Sequence, residues 1–360
     1  MSRYPIYQRS GRLLLATIDQ FTRLLPSRSN PSHNPRKILV SNLAHLGDAL
    51  LTLSILPVLK EAYPSAEIGI IIATPSRVAV EKHPLIKQIH CIDHWKNSRA
   101  SLSLPKKVWL YIKTRRRVLK EIRSLGYDLA IDCNFHFPNA AFLLWQAAIP
   151  ERVGFASAGG GPLFTRAYGW DPKENRSAVE AYLSLLPHLA HLYPLNSAGQ
   201  RRDPLSPIVL HMGSGAAHKL WSEQKWRLLA HHLVNDGHRL IFTGKGEKER
   251  KMIENVLFDL PNAASLCDAP WEEFVATIQR AKFLIGVDSC AGHVAAAAQT
   301  PALLLFTGIH PPLLWKPYHP AIHTLTHPTR CSPCFTGCSK MHCIQELSVE
   351  KVYQVIKSLL

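Results

Sequence analysis

The sequence predicts an α/β protein made of two open, parallel-sheet domains, and three observations carry that prediction. A chain of 360 residues exceeds one ordinary domain, and two domains of roughly 150–200 residues each fit it. From Lys37 onward short apolar runs alternate with helical periodicity, the mark of a parallel sheet, and the alternation resumes at Ile208. Between the two halves lies YPLNSAGQRRDPLSP, residues 193–207, where proline, serine, glycine and charge replace periodicity. Two such sheets facing each other would gather the carboxyl-end loops of their strands around one interdomain cleft, where open α/β sheets bind ligands.

Taken in order, residues 1–36 form a basic arm. Within it GRLLLATIDQFTRLL, residues 11–25, places Leu14, Ile18, Phe21 and Leu25 on one helical face with Arg12, Asp19 and Arg23 elsewhere. Such a helix suits acidic lipid, and it equally suits docking on its own protein. The run LLLA is too short for a secretory signal, so a cytoplasmic protein is expected. The first sheet domain, residues 37–192, opens with the strand KILVSNL, then one helix, ALLTLSILPVLKEAY, that ends near Pro64. EIGIIIA and YDLAIDCN read as further strands. Between them runs a helix from Lys106 to Arg123 with eight basic residues against one acid, Glu121, which favours a nearby anionic surface, membrane phosphates first.

The second sheet domain, residues 208–346, begins with the strand IVLHMG. WSEQKWRLLAHHLVNDG follows as a helix closed by Gly237, then the strand HRLIFTG and the helix EKERKMIENVLFDL. LIGVD is a later strand of the same sheet; an alanine-rich helix comes next, Pro301 stops it, and Ala302–Phe306 is the next buried strand. Residues 347–360 form a last helix. A formal charge of +16 favours something anionic, whether nucleic acid, phosphorylated lipid or a bilayer surface. No uninterrupted apolar run reaches about 18 residues, so the chain is expected to be soluble or peripheral.

Four loops hold the chemistry. After LIGVD, peptide N–H groups around Ala291, Gly292 and His293 open a helix whose positive dipole end can take an anion. Asp288 is acidic, so phosphate alone does not explain that turn; a ligand with hydroxyls and a diphosphate, such as a nucleotide sugar, suits both, although Asp288 could equally cap the helix. Leu46-Gly47-Asp48 follows the first strand, with glycine permitting a tight turn and a carboxylate at the helix start, where an N-cap is the plain alternative. His211-Met212-Gly213-Ser214-Gly215, with Lys219 and Trp221 beyond, is a small-residue loop whose N–H groups and lysine can meet phosphate, or a flexible crossover with a surface lysine. Thr243-Gly244-Lys245-Gly246-Glu247 ends a strand in glycines, with a carboxylate that could accept from a ribose or base. It lacks the full P-loop spacing.

In content and in order these segments resemble the family 9 glycosyltransferases, the heptosyltransferases of the lipopolysaccharide inner core, from Lys37 to the C-terminus. Leu46-Gly47-Asp48 matches that family's Leu-Gly-Asp, and His211, Gly213, Lys219 and Trp221 match its His-Pro-Gly and Lys-x-Trp. TGKGE stands for Thr-Gly-Gly…Glu, and Asp288-Ser289-Cys290-Ala291-Gly292-His293 for Asp-Thr-Gly-x-x-His. Tyr127, Asp128 and Asp132, and Arg152-Val153-Gly154-Phe155, are similar to its N-terminal domain. Cys290 replaces a glycine of the family, and Met212 a proline.

The resemblance implies a GT-B fold of two Rossmann-like domains, an inverting transfer of heptose from ADP-heptose, and an acceptor in the lipopolysaccharide inner core. It implies Asp48 as general base, with His45 and Gly47 beside it for the acceptor, His45 ranking as a second proton acceptor or orienting partner. For the donor it implies Lys219 against the departing diphosphate, with Gly213, Ser214, Gly215, Gly244, Glu247, Asp288, Ser289, Gly292 and His293 around the nucleotide sugar. No Asp-x-Asp occurs in the chain, so neither a bridging metal nor a cofactor is expected. The expected setting is peripheral, on the inner face of the cytoplasmic membrane.

Cys331, Cys334, Cys338 and Cys343 form a Cys-rich loop near the end of the second domain. Their spacing is tighter than a zinc ribbon's; a structural role is preferred, and a structural zinc is the alternative. Three other functional readings stand against this one, the first a catalytically inactive sugar-nucleotide-binding relative, against which the retained Asp48 and Lys219 argue. A different nucleotide sugar could replace ADP-heptose. A basic nucleic-acid binder with a cysteine knuckle would also suit the charge, but neither half carries a recognised nucleic-acid motif, and that reading gives the loops no task.

Overall fold

The computed structural model describes residues 9–26, 34–136, 138–171, 174, 176–189, 202–335 and 338–360. The chain divides into two compact units, Met1–Tyr193 and Pro194–Leu360. Residues 193–201 of the expected linker and 1–8 and 27–33 of the expected arm lie outside the described residues.

In the first unit the order is α1 (Arg9–Thr22), β1 (Lys37–Asn42), α2 (Leu46–Leu53), α3 (Leu56–Ala62), β2 (Glu67–Ile72), α4 (Arg77–Val80), β3 (Ile86–Cys91), α5 (Leu104–Leu125), β4 (Leu129–Asp132), α6 (Ala141–Gln146), β5 (Glu151–Phe155), β6 (Arg166–Tyr168) and α7 (Ala178–Ser184). The six strands pair in parallel in the order β3-β2-β1-β4-β5-β6. Apolar side chains leave both faces of the central strands, so both must be covered by helices. On one face Leu39, Ile71 and Ala130 pack with Val118 and Ile122 of α5 and Leu143 and Leu144 of α6. On the other, Ile70 and Ile72 pack with Ala49 of α2 and Val80 of α4.

The single helix expected over ALLTLSILPVLKEAY is two, broken at Ser54–Ile55. Pro57 lies in the first turn of α3, where its missing N–H costs nothing, whereas inside one long helix its ring would clash with the preceding turn. The basic helix is longer than expected, with Pro105 in its first turn and Gly126 closing it at φ 63°. For α1 the expected apolar face is divided. Leu15, Asp19 and Thr22 face the protein, and the Asp19 carboxylate accepts the N–H of Gly160 at 2.6 Å. Leu25 packs on the core, while Leu14 and Phe21 are exposed.

The second unit runs β7 (Ile208–His211), α8 (Glu223–Asn235), β8 (Leu240–Gly244), α9 (Gly246–Leu257), β9 (Ala263–Cys267), α10 (Trp271–Arg280), β10 (Phe283–Val287), α11 (Cys290–Ala297), β11 (Ala302–Leu305), α12 (Pro312–Trp315), β12 (Ile322–Leu325), α13 (His342–Gln345) and α14 (Val349–Leu359). Its six strands are also parallel, ordered β12-β11-β10-β7-β8-β9. Ser222 caps α8, its Oγ accepting the Lys225 N–H, and Gly237 at φ 83° lets the chain turn away. Trp221 and Trp226 are buried edge to face, and Trp221 Nε1 donates to the Leu347 carbonyl at 3.0 Å, fixing the segment before α14.

Each sheet starts in its middle, grows outward for three strands, then returns beside its first strand. The reversal lies between β1 and β4 in one unit and between β7 and β10 in the other. Connections leave in opposite directions there, so the loops at the carboxyl ends of those four strands part and leave room for a ligand. Among the described residues no helix is long and apolar enough to cross a membrane.

Candidate active site

In the first unit the loop after β1 delivers Asp48. The helix N-cap is His45, not Asp48, and Asp48 is the third helical residue. Asp48 Oδ2 accepts the His45 N–H at 3.0 Å, and the His45 side chain accepts in return from the Asp48 backbone, a capping box. Gly47 therefore lies inside the first turn of α2 rather than in a separate tight turn.

Beneath this turn Asn42 Nδ2 donates to Thr52 Oγ1 at 3.0 Å, and Thr52 Oγ1 donates to the Asp48 carbonyl at 2.8 Å. Asn42 Nδ2 also lies 3.3 Å from the Tyr182 hydroxyl. Burial, reinforced by the Asp48 charge, holds the Tyr182 phenol well above its usual pKa, so it stays protonated. The neighbouring loop after β4 is organised by Asp132, which accepts from Ser41 Oγ at 2.9 Å and from the Ala140 N–H at 2.8 Å. Burial raises its carboxyl to about 6 even though these bonds pull the other way. The loop after β3 joins through Asn97 Nδ2, which donates to the Leu43 carbonyl at 2.9 Å. Asn42, Thr52, Tyr182 and Asn97 are support that the sequence reading missed, because their partners are distant in the chain.

In the second unit the reversal point brings Lys219 and Asp288 together, Nζ to Oδ2 at 2.6 Å. Ser214 Oγ donates to the Asp288 carbonyl at 3.3 Å, tying the loop after β7 to the turn after β10. Helix α11 starts at Cys290, earlier than expected, so the N–H groups without a partner inside the helix are those of Ser289, Cys290, Ala291 and Gly292. The His293 N–H lies inside the helix. Its imidazole is buried and pushed down to about 4 by desolvation, with Asp288 raising and Lys219 lowering it. Gly292 has a packing reason for lacking a side chain, since a Cβ there would stand 2.5 Å from Leu304 Cδ1 of β11.

Glu247, expected at the donor, is exposed and paired with Lys251. The inward carboxylate is Glu249, which the sequence reading did not single out. It accepts the Lys245 N–H at 2.8 Å, and a Cβ on Gly213 would fall 2.1 Å from its Cδ. Gly244, at the end of β8, lies against Ile253 and Glu249. Gly215 is exposed in the loop that leads to Lys219. His310, after β11, was also missed; burial pushes its imidazole down to about 4, and Lys219 and Asp288 both act on it. Position was its available signal, because it follows the carboxyl end of a strand next to the reversal point.

The Cys-rich loop meets the same region. The Cys334 N–H donates to the Gly308 carbonyl and the Phe335 N–H to that of Ile309, bracing the His310 segment. Cys343 is buried in the core, Cys331 and Cys338 are exposed, and Cys338 Sγ accepts the Met341 N–H. Among the described residues no group of three or more His, Cys, Asp and Glu is placed to hold a metal ion.

A cation paired with a carboxylate beside a helix start is an arrangement that can meet both the charge of a diphosphate and the hydroxyls of a sugar. A profile of glycosyltransferase family 9 (heptosyltransferase) matches residues 115–345. The chain belongs to glycosyltransferase family 9. It is similar to lipopolysaccharide heptosyltransferase 3 of Escherichia coli, 25% identical over 296 residues, covering 76% of this chain and 83% of that protein. It is also similar to lipopolysaccharide heptosyltransferase 1 of Pseudomonas aeruginosa, 24% identical over 315 residues, covering 83% and 86%. Among solved structures, the glycosyl transferase family 9 protein from Veillonella parvula aligns with TM-score 0.71 at 20% identity, over 91% of this chain and 97% of its own. The E. coli heptosyltransferase WaaC with ADP-2-deoxy-2-fluoro heptose aligns with TM-score 0.70 at 16% identity, over 90% and 100%. These likenesses show the fold, GT-B. As a family 9 member the protein is a glycosyltransferase.

Proposed function

We propose that this family 9 enzyme is an inverting, metal-independent heptosyltransferase that moves a heptose from ADP-heptose onto the lipopolysaccharide inner core, working as a peripheral protein on the cytoplasmic face of the membrane. The relatives' names and the WaaC ligand support the donor and acceptor classes. The observation that carries the donor half is the Lys219–Asp288 pair at the reversal point of the second sheet, beside the open start of α11.

In this reading the first unit takes the acceptor. Its hydroxyl oxygen attacks the anomeric carbon from the face opposite the diphosphate, the carbon–phosphate oxygen bond breaks, and the hydroxyl proton passes to the Asp48 carboxylate. One displacement of this kind inverts the centre. Lys219 turns from Asp288 toward the departing ADP, whose growing charge also meets the N–H groups of Ser289 to Gly292. Asp288, released, accepts from a sugar hydroxyl. Lys219 and the helix start supply the positive charge that a bridging metal supplies elsewhere, which is the basis for metal independence.

The test is turnover with a panel of nucleotide sugars and deacylated lipopolysaccharide acceptors, followed by mass spectrometry of the acceptor, with and without chelator. Gain of one heptose from ADP-heptose, unchanged by chelator, supports the reading. Transfer from a different nucleotide sugar replaces the donor, and loss of turnover on chelation removes metal independence.

A further inference from the structure

The first unit shows solvent more apolar surface than its own fold uses. Helix α1 docks by Leu15, Asp19 and Thr22, yet Leu13, Leu14 and Phe21 on its other sides and Leu24 in the turn that follows are 54% to 82% exposed. Leu14, Phe21 and Leu24, with Thr17 between them, form one stripe along the outer side at helical spacing. On α5 the outward residues Trp109 and Ile112 are likewise exposed, as is Phe142 on α6.

These residues belong to one layer. Val118 and Ile122 of α5, Leu143 and Leu144 of α6 and Leu25 after α1 all pack on the same face of the first sheet. Their opposite sides therefore point away from the sheet in the same general direction. Contacts between the helices make the layer continuous. Trp145 Nε1 donates to the Pro26 carbonyl at 3.1 Å, Phe142 stacks on Trp145, and the Arg115 guanidinium lies 5.4 Å from the Phe142 ring.

Charge in this layer is predominantly positive at the surface. Lys106, Lys113, Arg116, Arg117, Lys120 and Arg123 are exposed on α5, and Arg23 follows α1. The acids of the three helices are spoken for, since Asp19 is buried and Glu121 is paired with His90 and Arg117. Lys113 Nζ lies 5.0 Å from the Trp109 ring, so the most exposed aromatic of α5 carries a cation at its face. Apolar and aromatic side chains among an excess of cations suit the boundary of an anionic bilayer, where rings and leucines enter the acyl edge and lysines and arginines meet phosphates.

We infer that the outer side of α1, α5 and α6, centred on Leu14, Phe21, Leu24, Trp109 and Phe142 and ringed by the α5 cations, is the surface by which this protein lies on an anionic phospholipid bilayer. The inference rests on the peripheral localisation proposed above and specifies its face. A glycosyltransferase with a lipid-anchored acceptor gains from it, because both reactants are then confined to one plane.

The test uses the full chain and vesicles of phosphatidylcholine alone or mixed with phosphatidylglycerol. Wild type is expected to sediment with the anionic vesicles and to be released by salt. The triple variant Leu14→Ser/Phe21→Ser/Leu24→Ser and the double variant Lys113→Glu/Arg116→Glu should each bind at least about tenfold more weakly. Both should keep wild-type turnover on a deacylated acceptor and lose turnover on an acylated acceptor held in vesicles. Wild-type sedimentation with both variants binding equally well overturns this face and leaves peripheral localisation standing. No sedimentation of wild type with either vesicle overturns both. If the triple variant instead converts a dimer to a monomer in velocity sedimentation and leaves vesicle binding intact, the stripe belongs to a second copy of the chain and the inference fails.

Discussion

In the proposed mechanism Asp48 has to be a base and part of a helix cap with the same carboxylate. Oδ2 is fixed by the His45 N–H, which aims the group but also draws electron density from it. Asn can keep the capping acceptor and cannot take a proton, so Asp48→Asn separates the two duties. We expect Asp48→Asn to lower kcat by about 10²–10⁴-fold with the melting temperature and donor KM nearly unchanged. A shifted melting temperature with near-normal turnover would make Asp48 a cap alone. Lys219→Gln tests the donor side; losing one charge-stabilising group costs about 3–4 kcal/mol of transition-state binding in comparable sites. That predicts a fall in kcat at saturating donor, and a rise in KM alone would show that Lys219 only helps to bind. Glu249 shows why residue-level reading of the sequence stops short. Glu247 and Glu249 are two residues apart on one helix, so they point to different sides, and only the place where α9 begins decides which turns inward.

Among the elements, close approach of backbone to side chain is built in at two glycines, and each gives a paired test. Gly213→Ala would put a methyl against the Glu249 carboxylate, and Gly292→Ala one against Leu304. Gly292→Ala is expected to cost about 1–3 kcal/mol by overpacking, and Gly213→Ala less, because the Glu249 carboxylate is the movable end of a long side chain. Glu249→Ala should recover most of the first loss and Leu304→Ala part of the second, read as non-additivity in denaturant midpoints; strict additivity would mean that the glycines matter for another reason. The strands legible in the sequence were central ones, although β5 (Glu151–Phe155), interior and fully buried, was not read as a strand because a glutamate, an arginine and a glycine break its apolar run. β1, β2, β7, β10 and β11 bury nearly every residue and so read as apolar runs. The four sheet edges, β3, β6, β9 and β12, were not read as strands, and IKQIHC, RAY, AASLC and IHTL show why. An edge strand is covered incompletely and keeps polar residues that discourage pairing with other chains, so neither a run nor an alternation survives in its sequence. The loops of the candidate site were legible because they follow central strands.

At the scale of the whole chain, acid should weaken the fold. Burial holds His94, His211, His293 and His310 down to about 4. Between about pH 6.5 and pH 4 the unfolded chain takes up protons at these positions and the native one does not, so stability falls as pH falls through that window. Asp132, raised to about 6, acts in the opposite sense, because between its ordinary value and 6 the native state binds the proton that the unfolded state has lost. Burial also lowers His83, His238, His319 and His323 and raises Glu249, so eight histidines against two carboxyls set the sign. Thermal melts at pH 5 are expected below those at pH 7.5, and His94→Gln should reduce the difference; an equal or higher melt at pH 5 would remove the argument.

The two sheets share one strand order, three out and three back. Under the division of donor and acceptor proposed above, the consequence reaches beyond a single reaction: recognition of what is given and of what receives is written in separate, structurally equivalent places, so either could be revised by descent while the other is inherited intact. A lineage built this way can diversify its sugars and its acceptors as independent traits.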